Sequence, residues 1–278
     1  MTKDNLVYFL GAGAMAEAMI KGLLGQRVLM AKQIMAADVR VERCQELQQQ
    51  YGILTDQTDG CRLLPQASVV VLSFKPKDLR SALSSYRAQL NAGQLVISIL
   101  AGIPTSQLEK FLPQEMPVVR AMPNTAAAVG LAATAICPGQ YAETQHLAVA
   151  EALFSATGIV RQVPEPMMDA VTALSGSGPA YVYLLAEAMQ AGGIAAGLDE
   201  ATASALTEQT LLGAASMLRA SDRTPAELRK QVSSPGGTTL AGLEALAEHH
   251  FSEAVEAAIM RAAERSRDLS QLAAAASN

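Results

Sequence analysis

The chain has 278 residues, enough for about two domains, and its composition of 50% hydrophobic and 17% charged residues is typical of globular rather than disordered proteins. A net charge of −5 argues against nucleic acid or an anionic membrane surface as a partner. Three widely separated cysteines (Cys44, Cys61 and Cys137) exclude a Cys-x-x-Cys pair and are typical of a reducing, cytoplasmic location. With only three histidines, no metal site is predicted.

The first predicted element is a strand, Leu6–Leu10, followed by a glycine-rich turn and a helix through Leu24. The turn carries Gly11, Gly13 and Ala16 with the spacing G-x-G-x-x-A. In dinucleotide-binding folds the first glycine makes the turn, the second admits a pyrophosphate, and the small third residue lets helix and strand pack closely. The pattern predicts a dinucleotide site near the start of the sequence.

A second predicted strand, Gln33–Ala37, ends at Asp38, where a dinucleotide fold contacts the adenosine ribose. A carboxylate at this place accepts hydrogen bonds from the two ribose hydroxyls and disfavours NADP. Arg40, two residues on, can instead pair with a 2′-phosphate. Because these two residues favour opposite cofactors, the preference between NADH and NADPH stays open at this point.

Further β-branched runs predict strands buried on both faces of a parallel sheet, at Val69–Phe74, at Leu95–Leu100 and from Val118. The loops after such strands contact ligands in doubly wound sheets, and two of these strands end in Lys75-Pro76 and Ala101-Gly102. The small residues of the latter leave room for a flat nicotinamide ring. An alternating stretch near Leu131–Ile136, a helix over Glu151–Thr157 and a strand over Val160–Val163 follow.

Beyond Pro164 the strand-like runs stop, and Ala, Leu, Met, Glu and Gln recur at helical spacing. We therefore predict an α/β, Rossmann-type dinucleotide-binding domain over residues 1–164 and an all-helical domain over residues 165–278 for substrate binding and dimerisation. The predicted helices begin at Asp169, with an interruption at Ser175–Pro179, then at Ala180, Asp199, Pro225, Leu240 and Ser252. The apolar stretch from Ala180 contains Glu187 and Gln190, which predicts a buried helix rather than a membrane span.

The segment Ser233–Thr239 precedes the helix predicted from Leu240. Ser, Thr and Gly before an apolar-periodic run predict a helix N-terminus, where unpaired N–H groups and the helix dipole favour an anion. The two glycines let a ligand approach the backbone closely. The segment is therefore either a capped helix start or a small cradle for a carboxylate.

Several blocks of the sequence, taken in order, resemble pyrroline-5-carboxylate reductase. They are the G-x-G opening, Phe74-Lys75-Pro76, R-A-M-P-N-T from Arg120, S-G-S-G-P-A-Y from Ser175 and S-P-G-G-T-T from Ser234. The resemblance spans nearly the whole chain. It implies a Rossmann domain, a helical dimerisation domain that can build rings of dimers, and reduction of 1-pyrroline-5-carboxylate to L-proline by NADPH or NADH.

The resemblance also implies site residues. The cofactor would contact Leu10, Gly11, Ala12, Gly13, Ala14, Met15, Asp38, Arg40, Phe74, Lys75, Pro76, Leu100, Ala101, Gly102 and Gln231. The substrate would contact Glu165, Ser234, Gly236, Gly237, Thr238 and Thr239, with the Thr239 hydroxyl against the ring nitrogen as the catalytic group. The roles of Ser175 and Ser177, in substrate contact or in close helix packing, stay open.

Two other functions compete with this interpretation. A β-hydroxy acid dehydrogenase uses a lysine on a helix of its second domain. Here the only lysine after Lys110 is Lys230, and its place in a short polar segment counts against this function. A dinucleotide-binding scaffold without turnover would have no need of the S-P-G-G-T-T cradle.

Overall fold

The computed structural model describes residues 6–56 and 62–275, so Cys61 lies outside the described residues. Within them the chain forms two compact units. One comprises the described residues up to Ser177 together with those from Met260 onward, and the other is Gly178–Ile259. The domain boundary predicted between residues 164 and 165 stays a prediction.

The first unit contains an eight-stranded sheet, as expected for a Rossmann-type fold. Its strands are β1 (Val7–Leu10), β2 (Ile34–Ala37), β3 (Leu54–Asp56), β4 (Val69–Leu72), β5 (Leu95–Ser98), β6 (Val118–Met122), β7 (Ala132–Pro138) and β8 (Gly158–Gln162). They lie in the order β3-β2-β1-β4-β5-β6-β7-β8, and every neighbouring pair is parallel except β6 and β7. The prediction of an α/β, dinucleotide-binding fold is confirmed.

Helices cover both faces of the sheet. Those of the first unit are α1 (Ala14–Gly25), α2 (Val41–Tyr51), α3 (Leu79–Tyr86), α4 (Thr105–Phe111), α5 (Thr144–Ser155) and α6 (Met168–Val171). Along β1, Val7 and Phe9 pack with α1 and α5, whereas Tyr8 and Leu10 pack on the opposite face with α3 and α4. All four residues of β1 are buried, which explains the continuous apolar run in the sequence.

Two predicted helices differ in the structure. Helix α5 begins at Thr144 rather than Glu151, because Glu143 and His146 exchange side-chain and backbone hydrogen bonds at its start. The interruption predicted at Ser175–Pro179 is also different, since Thr172–Gly176 forms a π-helical turn between α6 and α7 (Gly178–Ala195). Pro179 is the second residue of α7, where its missing N–H costs no intrahelical hydrogen bond.

The second unit is entirely helical. It contains α7, α8 (Glu200–Ala220), α9 (Pro225–Gln231), α10 (Thr238–Glu248) and the beginning of α11 (Phe251–Ala275). Throughout Gly178–Ile259, all of which the structure describes, only Ala203 and Thr207 are buried, while Tyr183 and Leu184 are more than 60% exposed. One copy of this unit therefore leaves most of its apolar surface uncovered. Across residues 6–56 and 62–275, no helix is long and apolar enough to cross a membrane.

Gly11 occupies a backbone position that no other residue suits. Its φ is +101°, and a Cβ would lie 2.7 Å from the backbone nitrogen of Phe74 and 2.8 Å from the carbonyl oxygen of Ser73. Gly13, two residues on, has no atom within 4 Å of the position of a Cβ. Backbone conformation and close packing therefore require glycine at position 11, whereas neither requires it at position 13.

We expect Gly11→Ala to lower the free energy of unfolding by about 2 kcal/mol or more, because β1 and β4 would have to move apart at this turn. Gly13→Ala is the matched control and should change stability by less than about 0.5 kcal/mol. Urea denaturation followed by circular dichroism measures both. Equal stability losses in the two variants would contradict this account of the turn.

Candidate functional site

A cleft of about 790 Å³ opens at the carboxyl ends of β1, β2 and β4. The strand order changes direction at β1, since β2 and β3 lie on one side of it and β4 on the other. Open α/β sheets bind ligands at such a point, because the loops leaving it diverge. The walls are the turn between β1 and α1, the end of β2, the segment after β4 and one face of α3.

The glycine-rich turn is held at Ala12 by two side chains. The Ala12 N–H donates to Oδ2 of Asp38 at 2.9 Å, and the Ala12 carbonyl oxygen accepts from Nε of Arg43 at 2.8 Å. Arg43 also donates to Glu17, whose other oxygen accepts the Tyr51 hydroxyl at 3.0 Å. Residues from α1, α2 and the end of β2 therefore fix the turn from both sides.

The acids of this network are ionised at neutral pH. Burial favours the neutral form of Asp38, but hydrogen bonds from the backbone N–H groups of Arg40 and Ala12 outweigh it and hold the Asp38 pKa below its usual value. The hydrogen bond from Arg43 likewise lowers the pKa of Glu17. Each carboxylate therefore acts as an acceptor for the groups that shape the cleft.

The turn has the features that a dinucleotide requires. Gly13 is the residue that precedes α1, and no side chain of the described residues caps that helix. The first-turn N–H groups and the open space beside Gly13 therefore remain for an anionic group. Ala16, the third small position of the motif, is fully buried. These residues fit the pyrophosphate of a nicotinamide dinucleotide.

The cleft brings together nine of the predicted cofactor residues: Leu10, Gly11, Gly13, Ala14, Met15, Asp38, Arg40, Phe74 and Lys75. Ala12 is buried behind its wall, and Pro76 and Leu100–Gly102 are not part of the lining. Gln231 belongs to the other unit. Sequence reasoning missed one face of α3 and the turn before it, which contribute Lys77, Asp78, Ser81, Ala82, Ser85 and Tyr86. Their spacing of three and four residues is a helical signal that could have identified them.

The turn after β5 packs against part of α11. Gly102 has a φ of +72°, and a Cβ there would lie 3.4 Å from Cβ of Leu269. Nearby in the same unit, the Ser266 hydroxyl donates to Oδ1 of Asp169 at 2.6 Å. The residues of α11 from Met260 onward belong to the first compact unit.

Glu165, predicted to contact substrate, joins three elements of the first unit. Oε1 accepts from the Thr105 N–H at 2.8 Å and from Nη1 of Arg120 at 3.2 Å, and the Thr105 hydroxyl donates to Oε2. Arg120 is 4% exposed, and the Glu165 carboxylate is the ion-pair partner of its buried guanidinium. Burial foremost, and then the negative charge of Glu165, raise the pKa of the neighbouring Cys137 thiol to about 12. The contact of Glu165 with substrate stays a prediction.

Two of the sequence blocks that carry the resemblance contact each other. The Asn124 side chain of R-A-M-P-N-T donates to the carbonyl oxygen of Ser175 at 3.0 Å. A Cβ on Gly176 would lie 2.6 Å from Cε of Met122, so this glycine permits close packing of the π-helical turn on β6. The Ser175 hydroxyl bonds back to the carbonyl oxygen of Val171. These contacts favour the packing role for Ser175.

The S-P-G-G-T-T segment forms a tight turn ahead of α10. Gly237 donates to the carbonyl oxygen of Ser234 at 3.0 Å, and a Cβ on Gly237 would lie 2.6 Å from the Ser234 hydroxyl oxygen. The missing Cβ at Gly237 thus makes room for Ser234. Gly236 has a φ of +71° and open space around it, so its backbone is the part of the turn that a ligand can approach.

The helix begins earlier than its apolar pattern predicts. Gly237 is the cap residue and Thr238 and Thr239 are the first two residues of α10, so Thr239 is not a helix cap. Both threonines are exposed, and no described residue forms a side-chain hydrogen bond with either. The first-turn N–H groups and two hydroxyls therefore form an open, uncharged, donor-rich surface.

Two family models match the chain. Residues 165–269 match "Pyrroline-5-carboxylate reductase dimerisation" and residues 6–102 match "NADP oxidoreductase coenzyme F420-dependent". The first begins at residue 165, the first residue of the predicted helical domain, and covers the unit whose apolar surface is exposed. The second covers the glycine-rich turn and the strands that frame the cleft.

Individual proteins are similar over almost the whole chain. Pyrroline-5-carboxylate reductase 1 of Bacillus spizizenii is 42% identical over 95% of this chain and 89% of its own length. The structure of a pyrroline-5-carboxylate reductase from Coxiella burnetii is 33% identical with a TM-score of 0.90, covering 96% of this chain and 99% of that one. The Plasmodium falciparum pyrroline carboxylate reductase with NADP bound is 27% identical with a TM-score of 0.86, covering 97% and 100%.

The ionised Glu17 should stabilise the fold in a pH-dependent way. Its pKa in the folded chain is lowered below the unfolded value of about 4, so its contribution is present above that pH and is lost as the pH falls through the folded pKa. We expect Glu17→Gln to lower the free energy of unfolding by about 1 kcal/mol at pH 7 and by less at pH 3. Urea denaturation at both pH values measures this.

Glu46→Gln is the matched control, because Glu46 pairs with the same arginine but its side chain is 62% exposed. It should change stability by less than about 0.5 kcal/mol. A loss in Glu17→Gln that is as large at pH 3 as at pH 7 would contradict the ionic role of Glu17.

Removing the charge of Glu165 leaves Arg120 buried without its carboxylate. We expect Glu165→Gln to lower the free energy of unfolding by about 2 kcal/mol, somewhat less than for a fully buried pair because 27% of the Glu165 side chain is exposed. Glu151→Gln, on the exposed face of α5, serves as the control. Thermal and urea denaturation measure both, and equal stability of the two variants would show that Arg120 does not need Glu165.

Proposed function

The chain belongs to the pyrroline-5-carboxylate reductase family, and we propose that it reduces 1-pyrroline-5-carboxylate to L-proline, the last step of proline biosynthesis, with a nicotinamide dinucleotide. The observation that carries the proposal is the family match over both units, which includes the dinucleotide cleft and the S-P-G-G-T-T turn in one chain. A dehydrogenase of another class or a scaffold without turnover would explain the dinucleotide cleft but not the S-P-G-G-T-T turn.

The cofactor-binding residues are those that line the cleft. The backbone of Gly11–Met15 and the start of α1 would hold the pyrophosphate, and Asp38 and Arg40 would face the adenosine ribose. Phe74 and Lys75 would flank the remainder of the cofactor, with the predicted Leu100–Gly102 turn at the nicotinamide. The bound dinucleotide supplies the hydride that the reaction consumes.

The substrate carboxylate would be held by the turn ahead of α10. Gly236 offers exposed backbone, while Thr238 and Thr239 offer N–H groups at a helix N-terminus that no side chain of the described residues caps. Ser234 would add its hydroxyl. Fixing a carboxylate at a rigid helix start sets the orientation of the pyrroline ring, and positioning of this kind accounts for most of the catalysis in the proposal.

The Thr239 hydroxyl would form a hydrogen bond with the ring nitrogen of the substrate. The imine carbon accepts a hydride far better when its nitrogen carries a proton, so the site needs a group that orients this nitrogen rather than a strong acid. A threonine hydroxyl is too weak an acid to be a classical proton donor, but it can bond the ring nitrogen and share a proton with water.

The second unit would form a dimer, and dimers could assemble into a larger ring. The exposed apolar side chains of Gly178–Ile259 and the match to a dimerisation family support this arrangement. The cytoplasmic location stays a prediction from the cysteine content.

The decisive experiment follows the loss of NADH or NADPH absorbance with synthetic pyrroline-5-carboxylate, once with each cofactor. Oxidation of either cofactor that depends on the substrate, with proline as product, is the expected result. No oxidation with either cofactor would overturn the proposal.

We expect Thr239→Ala to lower kcat at least tenfold, because the ring nitrogen loses its hydrogen-bond partner, while the Kd for the dinucleotide changes less than twofold. Thr239→Ser keeps the hydroxyl and should retain most of the activity. Steady-state kinetics and titration calorimetry measure these values. Wild-type turnover in Thr239→Ala would remove Thr239 from the chemistry.

A further inference from the structure

Asp38 and Arg40 form an ion pair at the rim of the cleft, and the two side chains are unequally available to a ligand. Nε of Arg40 donates to Oδ1 of Asp38 at 3.1 Å. The Asp38 side chain is 11% exposed and the Arg40 side chain is 62% exposed. The pair therefore presents a covered acid and an open cation to the cleft that both of them line.

The carboxylate of Asp38 is largely occupied by the protein. Oδ2 accepts from the Ala12 N–H, and Oδ1 accepts from both the backbone N–H and Nε of Arg40. A carboxylate offers about four lone-pair positions, so three of them are already used. Bidentate acceptance from two ribose hydroxyls, the usual sign of an NADH site, would require Asp38 to release groups that shape the turn.

Most of the hydrogen-bond donors of Arg40, by contrast, are not used by the protein. A guanidinium carries about five N–H donors in a fork that suits phosphate oxygens, and only Nε is used here. No residue in the described parts of the chain accepts a hydrogen bond from its two Nη groups. The ion pair holds the stem of the side chain in place, which lowers the entropic cost of presenting those groups to a phosphate.

The charges around the cleft favour an additional phosphate. Its lining includes three cations and only two acids, in a chain whose net charge is −5. Asp38 and Arg40 offset each other, which leaves two lysines against Asp78 in the lining. The cations Lys75 and Lys77 lie on the segment after β4.

We propose that this chain prefers NADPH to NADH, because Asp38 serves the glycine-rich turn and Arg40 binds the 2′-phosphate through its Nη groups. The proposal rests on the proposed function, in which the cleft binds a dinucleotide. In this proposal Asp38 has a structural role and Arg40 a ligand-binding role, which decides the cofactor preference that the sequence left open.

Titration calorimetry with 2′,5′-ADP and 5′-AMP isolates the 2′-phosphate, because these probes differ only in that group and involve no turnover. The wild-type chain should bind 2′,5′-ADP at least tenfold more tightly than 5′-AMP. Arg40→Gln should abolish that ratio and change the Kd for 5′-AMP less than twofold, since the backbone N–H of residue 40 still donates to Asp38. Lys77→Gln, on the same cleft, should keep the ratio.

Equal affinities of the wild-type chain for the two probes would overturn the preference and leave the proposed function intact. Loss of the ratio in Lys77→Gln instead of Arg40→Gln would overturn the assignment to Arg40. No binding of either probe would overturn the dinucleotide cleft itself, and with it the cofactor part of the proposed function.

Discussion

The whole cleft depends on how the backbone of Ala12 is held. Its N–H and its carbonyl oxygen are both taken by side chains, from Asp38 and Arg43, which lie on separate elements. A glycine-flanked residue would otherwise be among the most mobile points of the chain, because glycine loses the most conformational freedom on folding. The two hydrogen bonds remove that freedom before a ligand arrives, so the N–H groups of the turn are already oriented toward an anion.

The second unit meets a different constraint. Helices α7 and α8 pair through small residues, with Gly193 against Ala203, and they leave large side chains such as Tyr183 and Leu184 uncovered. The hydrophobic effect then favours association over an isolated protomer. The match of this region to a dimerisation family supports a second copy of the chain as the partner of this apolar surface.

Much of this could be predicted from the sequence, because buried parallel strands and the G-x-G-x-x-A turn leave local signals. Strand β3 was missed because it is only three residues long, and its first residue is 42% exposed. The start of α5 was missed because its reciprocal cap uses His146 in place of the usual Glu or Gln. The α3 wall of the cleft and the partners of Glu165 depend on contacts between distant residues, and such contacts leave no local pattern. Sequence blocks such as R-A-M-P-N-T indicated the family, but they did not predict that the Asn124 side chain contacts Ser175.

The uncovered helices of Gly178–Ile259 make protein concentration a thermodynamic variable of this fold. Two buried residues do little to offset the conformational entropy of an 82-residue helical unit, so the proposed assembly would supply much of its free energy of folding. In the proposed dimer, dilution would act like a denaturant, since it would separate protomers and expose the helices together. The S-P-G-G-T-T turn belongs to this unit, so substrate capacity would decline with the assembled fraction while the dinucleotide cleft, built in the better-buried unit, persists.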